Sequence, residues 1–143
     1  MTTKIHKIPF VNFPKQWKNE KKFLINIFSK VFLGGQFVGG NEIDLFQKNI
    51  TKYTGTKYAV ATNSGTDALT LGLSILGIKK GDEVITTPNS YIASTASIIH
   101  IGAIPKFVDI EKETLGLNPD LVQKAIAKKT KAIIPVHYAG MPC

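Results

Sequence analysis

The chain has 143 residues, of which 43% are hydrophobic and 20% charged, a balance that excludes a disordered tail and leaves room for a real core. No apolar run reaches the ~20 residues of a membrane span, and the N-terminus lacks the apolar block and small-residue cleavage site of a signal peptide, so a soluble protein with no membrane partner is expected. The single cysteine, Cys143, cannot support an internal disulfide framework, which fits a reducing cytoplasm.

The net charge of +8 is unevenly spread. Residues 1–30 hold seven lysines against Glu20, whereas the rest of the chain holds eleven lysines against nine acids. All eighteen basic residues are lysine. Bidentate reading of guanine relies on arginine, so a solvated lysine face is expected here and a nucleic-acid partner is not.

In chain order, Lys15–Leu33 places Trp17, Phe23, Leu24, Ile27, Phe28, Val31 and Phe32 at near-helical spacing, and the glycines of Gly34–Gly40 break the pattern. A second helix is predicted over Glu42–Tyr53, with Ile43, Phe46 and Ile50 on one face. From there the pattern alternates. Strand-like Lys57–Thr62 precedes a helix over Thr66–Leu76, and Glu83–Thr87 precedes one over Ile92–Ile101. Ile104–Val108 precedes one over Pro119–Ala127, and Lys131–Val136 comes last. Short strands, apolar on both faces and separated by helices, predict an α/β fold with a parallel sheet and crossover helices, preceded by two N-terminal helices. The expected boundaries are a helical segment with its Gly-rich loop over 1–56 and an α/β domain over 57–143. No helix follows the fourth strand, so the α/β domain is expected to be incomplete and the chain a fragment.

The first strand-to-helix turn is the most informative segment. Asn63 or Ser64 can cap the helix, and Asp67 suits the positive end of its dipole. Gly65 lets a bound group approach the backbone, and free amides beside the Ser64 and Thr66 hydroxyls make an anion site whose most suitable guest is a phosphate. A capped turn with nothing bound has the same chemistry. A dinucleotide fingerprint needs three glycines and Asn63–Leu69 has one. Gly72 and Gly77 have P-loop separation, but Ile78 stands where lysine is required, and Gly35 and Gly40 are followed by Asn41. Tyr91 opens the next helix from the same sheet edge, where it can lie over a ring whose phosphate sits at Gly65 and Thr66. A planar aromatic cofactor with one phosphate fits, and pyridoxal phosphate is such a molecule. An aromatic residue filling the top of the core would leave the same pattern.

Landmarks in a fixed order extend this reading: Ile8-Pro9-Phe10-Val11, Gly35-Gln36-Phe37-Val38-Gly39, Lys57-Tyr58-Ala59-Val60, Asn63-Ser64-Gly65-Thr66-Asp67-Ala68-Leu69, Gly81-Asp82-Glu83-Val84-Ile85, Ser90-Tyr91-Ile92-Ala93, Phe107-Val108-Asp109-Ile110 and Lys131-Ala132-Ile133-Ile134-Pro135-Val136-His137. From about Ile8 to Pro142 the chain resembles the N-terminal part of the DegT/DnrJ/EryC1/StrS family, the pyridoxal-phosphate-dependent sugar aminotransferases. The resemblance implies the N-terminal part of a fold-type-I large domain working as a homodimer. It implies that Ser64, Gly65 and Thr66 hold the phosphate of pyridoxal 5'-phosphate and that Tyr91 stacks on its ring. The family's Schiff-base lysine and the aspartate on the pyridine nitrogen are expected beyond Cys143, so no catalytic residue is assigned and the fragment itself is expected to be inactive. The implied reaction moves an amino group, from a donor such as glutamate, to a nucleotide-linked keto sugar for glycan or polysaccharide synthesis. A sugar dehydratase or a non-catalytic regulatory member of the same fold are the alternatives.

Other residues carry less. Asp109, at the end of a strand, reads as a turn former, and His137 and Tyr138 as lining residues on the ligand-facing edge. His100 reads as structural, and His6 carries no signal. Glycines 34, 35, 39 and 40 suit either a loop packed on a sugar nucleotide or second subunit, as the resemblance implies, or a flexible connector. Three isolated histidines and a terminal cysteine make no metal-ligand spacing, so no metal is expected.

Overall fold

The computed structural model describes residues 8–143; His6 lies outside them. The chain falls into two compact units, one ending at Ala61 and one running Thr62–Cys143.

The first unit holds two helices. Helix α1, Phe13–Gly34, starts where the Asn12 side chain accepts the Lys15 amide at 3.1 Å and Pro14 sits in the first turn. It ends at Gly35, whose left-handed φ of 64° only glycine adopts without strain. Helix α2, Asn41–Thr54, carries Glu42 and Asp44 at its positive end and Lys52 at its negative end. No residue of either helix is buried. Both match the helices predicted from spacing to within two residues.

The strand expected over Lys57–Thr62 is not formed; these residues are irregular. A strand needs a neighbouring backbone to pair with, and among the described residues Lys57–Thr62 has no strand pairing. The Ala61 amide instead donates to the Gln47 side-chain carbonyl at 2.8 Å.

The second unit is α/β. Helix α3, Gly65–Ile75, leads to strand β1, Glu83–Thr86; helix α4, Ala93–His100, leads to β2, Ile104–Phe107; helix α5, Pro119–Ala125, leads to β3, Thr130–Ile133. The sheet is parallel in the order β2-β1-β3. Central β1 pairs Glu83 with Ile104 and Thr86 with Phe107 on one side, and Ile85 with Ile133 on the other. Successive residues of a strand face opposite ways, and both faces of β1 are covered. Val84 packs with Leu73, Ile78, Ile98 and Ala103, while Ile85 packs with Val108 and Leu117, flanked by Val122 and Ala125. Helices α3 and α4 therefore cover one face and α5 the other, which is the predicted fold class.

Candidate functional site

Chain direction sets where the helix ends fall. Because α3 runs by a short connection into the start of β1, its C-terminus lies at the amino end of the sheet and its N-terminus at the carboxyl end. Helix α4 leaves the carboxyl end of β1 and returns to the start of β2, and α5 does the same between β2 and β3. The carboxyl edge thus gathers the turn before α3, the loops after β1 and β2, and residues 134–143. Open parallel sheets bind ligands along that edge.

Ser64, not Asn63, caps α3. Its hydroxyl accepts the Asp67 amide at 3.1 Å and donates to Asp67 Oδ2 at 2.9 Å, and its carbonyl takes the Ala68 amide. Thr62 closes the turn by donating to the Ser64 carbonyl at 3.0 Å. Among the described residues the amides of Gly65 and Thr66 and the Thr66 hydroxyl have no acceptor. A Cβ placed on Gly65 meets nothing within 4 Å, so the space above the helix end is open. Two unspent amides, a free hydroxyl and the positive end of a helix dipole make a site suited to an anion.

Tyr91 sits just before α4, 80% exposed, with its carbonyl accepting the Ser94 amide at 3.2 Å. It does not fill the core, which leaves its ring available at the carboxyl edge. Polar bonds flank it along the chain: the Thr86 hydroxyl donates to the Ile134 carbonyl at 3.2 Å, the Thr87 hydroxyl accepts the Asn89 amide at 3.1 Å, and the Ser90 and Ser94 hydroxyls share a 2.9 Å bond. The last two lie within the turn that carries Tyr91. The Thr86-Thr87-Pro88-Asn89-Ser90 run, rich in hydroxyls and turn formers, was their signal in the sequence.

Asp109 Oδ1 accepts the Ile110 amide at 2.8 Å, the local bond of a turn former. His100 is exposed in the last turn of α4. His137 and Tyr138 follow β3 at the carboxyl edge, and the His137 ring accepts the Cys143 amide at 2.9 Å. Gly35, Gly39 and Gly40 all take positive φ, and a Cβ on Gly40 would lie 3.1 Å from the Gln36 side chain. Among the described residues no three His, Cys, Asp or Glu side chains cluster as a metal site, and no helix is long and apolar enough to cross a membrane.

The model of the DegT/DnrJ/EryC1/StrS aminotransferase family matches residues 18–143. The chain belongs to that family. This DegT/DnrJ/EryC1/StrS chain is 36% identical over 137 residues to the 3-oxo-glucose-6-phosphate:glutamate aminotransferase of Bacillus subtilis, covering 95% of the chain and 31% of the relative. It is 35% identical over 133 residues to the UDP-2-acetamido-2-deoxy-3-oxo-D-glucuronate aminotransferase of Pseudomonas aeruginosa, covering 93% and 37%. Its fold superposes on the crystal structure of NtdA from Bacillus subtilis with bound cofactor PMP at a TM-score of 0.88 and 36% identity, covering 95% of this chain and 32% of that one. The chain therefore spans about a third of the length of the relatives it matches.

Proposed function

We propose that these residues are the phosphate cup and ring platform of a pyridoxal-phosphate-dependent aminotransferase acting on a nucleotide-linked keto sugar. The observation that carries the reading is the pair of unspent amides at Gly65 and Thr66, with the free Thr66 hydroxyl beside them, in a chain of this family. The Gly65 and Thr66 amides and the Thr66 hydroxyl hold the cofactor phosphate. Ser64 fixes the turn through Asp67, and Tyr91 supplies a flat apolar face for the ring. When bound, pyridoxal 5'-phosphate supplies an electron sink for the carbon that bears the transferred nitrogen.

Within this reading residues 57–143 belong to the cofactor-binding large domain and residues 1–56 to the helical segment before it. The enzyme works as a cytoplasmic homodimer, with glutamate as amino donor, and its products feed polysaccharide or glycan synthesis. The glutamate in the name of the Bacillus subtilis relative supports the donor, and the nucleotide sugar in the name of the Pseudomonas aeruginosa relative supports the substrate class. The family's Schiff-base lysine and pyridine-nitrogen aspartate match no residue here, so the 143 residues alone do not transaminate.

The test uses the full-length protein. Loaded with pyridoxal 5'-phosphate it should be yellow, lose its visible band to borohydride, convert glutamate to 2-oxoglutarate, and then aminate a 3-keto or 4-keto nucleotide sugar. Amination of a keto-sugar 6-phosphate alone would move the substrate class to that of the Bacillus subtilis relative. A colourless protein inert to glutamate would overturn the aminotransferase reading in favour of a regulatory member of the fold.

A further inference from the structure

Two loops at the carboxyl edge meet where no assigned site residue lies. One follows β2 and carries Glu111–Leu117; the other follows β3 and runs from His137 to Cys143. The buried Leu117 amide donates to Cys143 Sγ at 3.3 Å, and the Cys143 amide donates to His137 Nδ1 at 2.9 Å. Gly116 makes room for this approach: a Cβ there would stand 3.1 Å from Cys143 Sγ and 3.3 Å from its Cα.

We infer that His137 is a positioning residue: its Nδ1 accepts the Cys143 amide within the loop after β3 and so holds the Cys143 thiol on the Leu117 amide of the loop after β2, a tie between the two loops. An amide N–H can only donate, so the ring nitrogen facing it is the acceptor, and a neutral imidazole has one acceptor and one donor. The backbone on each side of the tie supports its purpose. Among the described residues only Leu115 and Ala139 are non-glycine residues with positive φ, at 58° and 51°, and each tied loop holds one. Such conformations persist where surrounding structure over-determines them. The tie supplies that constraint and fixes one wall of the edge along which ligand binds.

The consequence for binding rests on the proposed function; the tie itself does not. In full-length protein, nitrogen-15 NMR of the His137 ring should show Nε2 protonated and Nδ1 bare. His137→Leu should speed hydrogen exchange of the Leu117 and Cys143 amides about three- to tenfold, the value of one ordinary hydrogen bond. It should raise KM for the keto sugar more than it lowers kcat. His137→Asn, which keeps an acceptor near the Nδ1 position, should restore both. Gly116→Ala should speed the same exchange from the opposite loop, and its effect should not add to that of His137→Leu, because both break one tie. A ring protonated on Nδ1, unchanged exchange at Leu117 in Gly116→Ala, or His137→Asn no better than His137→Leu would each overturn the inference. A full-length protein without aminotransferase activity would remove the proposed function and leave the NMR and exchange results to decide the tie.

Discussion

The Ser64 hydroxyl is committed twice to Asp67, donating to its carboxylate at 2.9 Å and accepting its amide at 3.1 Å. Its proton is therefore spent within the turn, and the contribution of Ser64 to an anion is mainly the geometry it imposes on Gly65 and Thr66. Ser64→Ala should cost about 1 kcal/mol of stability, the usual value of an N-cap, measured by denaturant unfolding of the full-length protein. It should weaken cofactor retention less than a change at Thr66; the reverse order would put the Ser64 hydroxyl on the phosphate directly.

Thr66 holds the free hydroxyl. Replacing it with leucine removes that donor and places a bulky apolar group over the helix end. Retention of pyridoxal 5'-phosphate should weaken by about 1–3 kcal/mol, the scale of a lost hydrogen bond to a charged group. Equilibrium dialysis against the visible band of the cofactor measures this, and unchanged retention would remove Thr66 from the cup.

Tyr91 separates folding from binding, because so exposed a ring contributes little to the core. Tyr91→Ala should leave the unfolding midpoint nearly unchanged and weaken cofactor binding by about 0.5–1.5 kcal/mol, the value of an aromatic stack. Tyr91→Phe keeps the ring and should retain binding. A large stability loss in Tyr91→Ala with unaltered cofactor affinity would make the residue structural.

What the sequence disclosed followed from local physics. The α3 start was legible because an apolar run stops at a polar turn, and the alternation of short apolar strands with helices foretold the parallel sheet. Lys57–Thr62 misled for a physical reason: its composition is strand-like, but pairing is a property of two segments, and here the Ala61 amide goes to Gln47. The same limit hid the tie between His137, Cys143 and Leu117, whose partners are as far as 26 residues apart. Nothing in composition marks a thiol as the acceptor for a buried amide. Which of Asn63 and Ser64 caps α3 was likewise open until the Asp67 pairing was seen.

Burial in the second unit rests on few side chains. Ile98 is fully buried in one cluster with Val84 and Leu73, so its truncation leaves a cavity that neighbours on a sheet and a helix cannot easily fill. Ile98→Ala should cost about 2–5 kcal/mol in denaturant unfolding of the full-length protein. A loss below about 1 kcal/mol, the cost of a volume-conserving swap, would mean that this face relaxes around the deletion.

Exposed apolar surface governs the behaviour expected of the 143-residue polypeptide by itself. In the first unit, Phe13, Trp17, Leu24 and Phe28 form one exposed stripe along α1, the Phe28 ring stacks on Phe32, and the Phe37 ring meets Phe32 edge-on. In the second unit, Leu69, Leu76, Ile133 and Ile134 line an open apolar depression between α3 and β3, and both outer strands have one unpaired edge within the three-stranded sheet. Apolar patches and open strand edges of this kind promote association. The isolated polypeptide should therefore bind an apolar dye, self-associate in light scattering, and unfold over a broad range. On the proposed reading, in which a longer homodimeric protein covers these surfaces, full-length protein should do none of these. A sharp, reversible unfolding transition from a monomeric 143-residue polypeptide would show that the eight buried apolar side chains suffice to hold the fold without those partners.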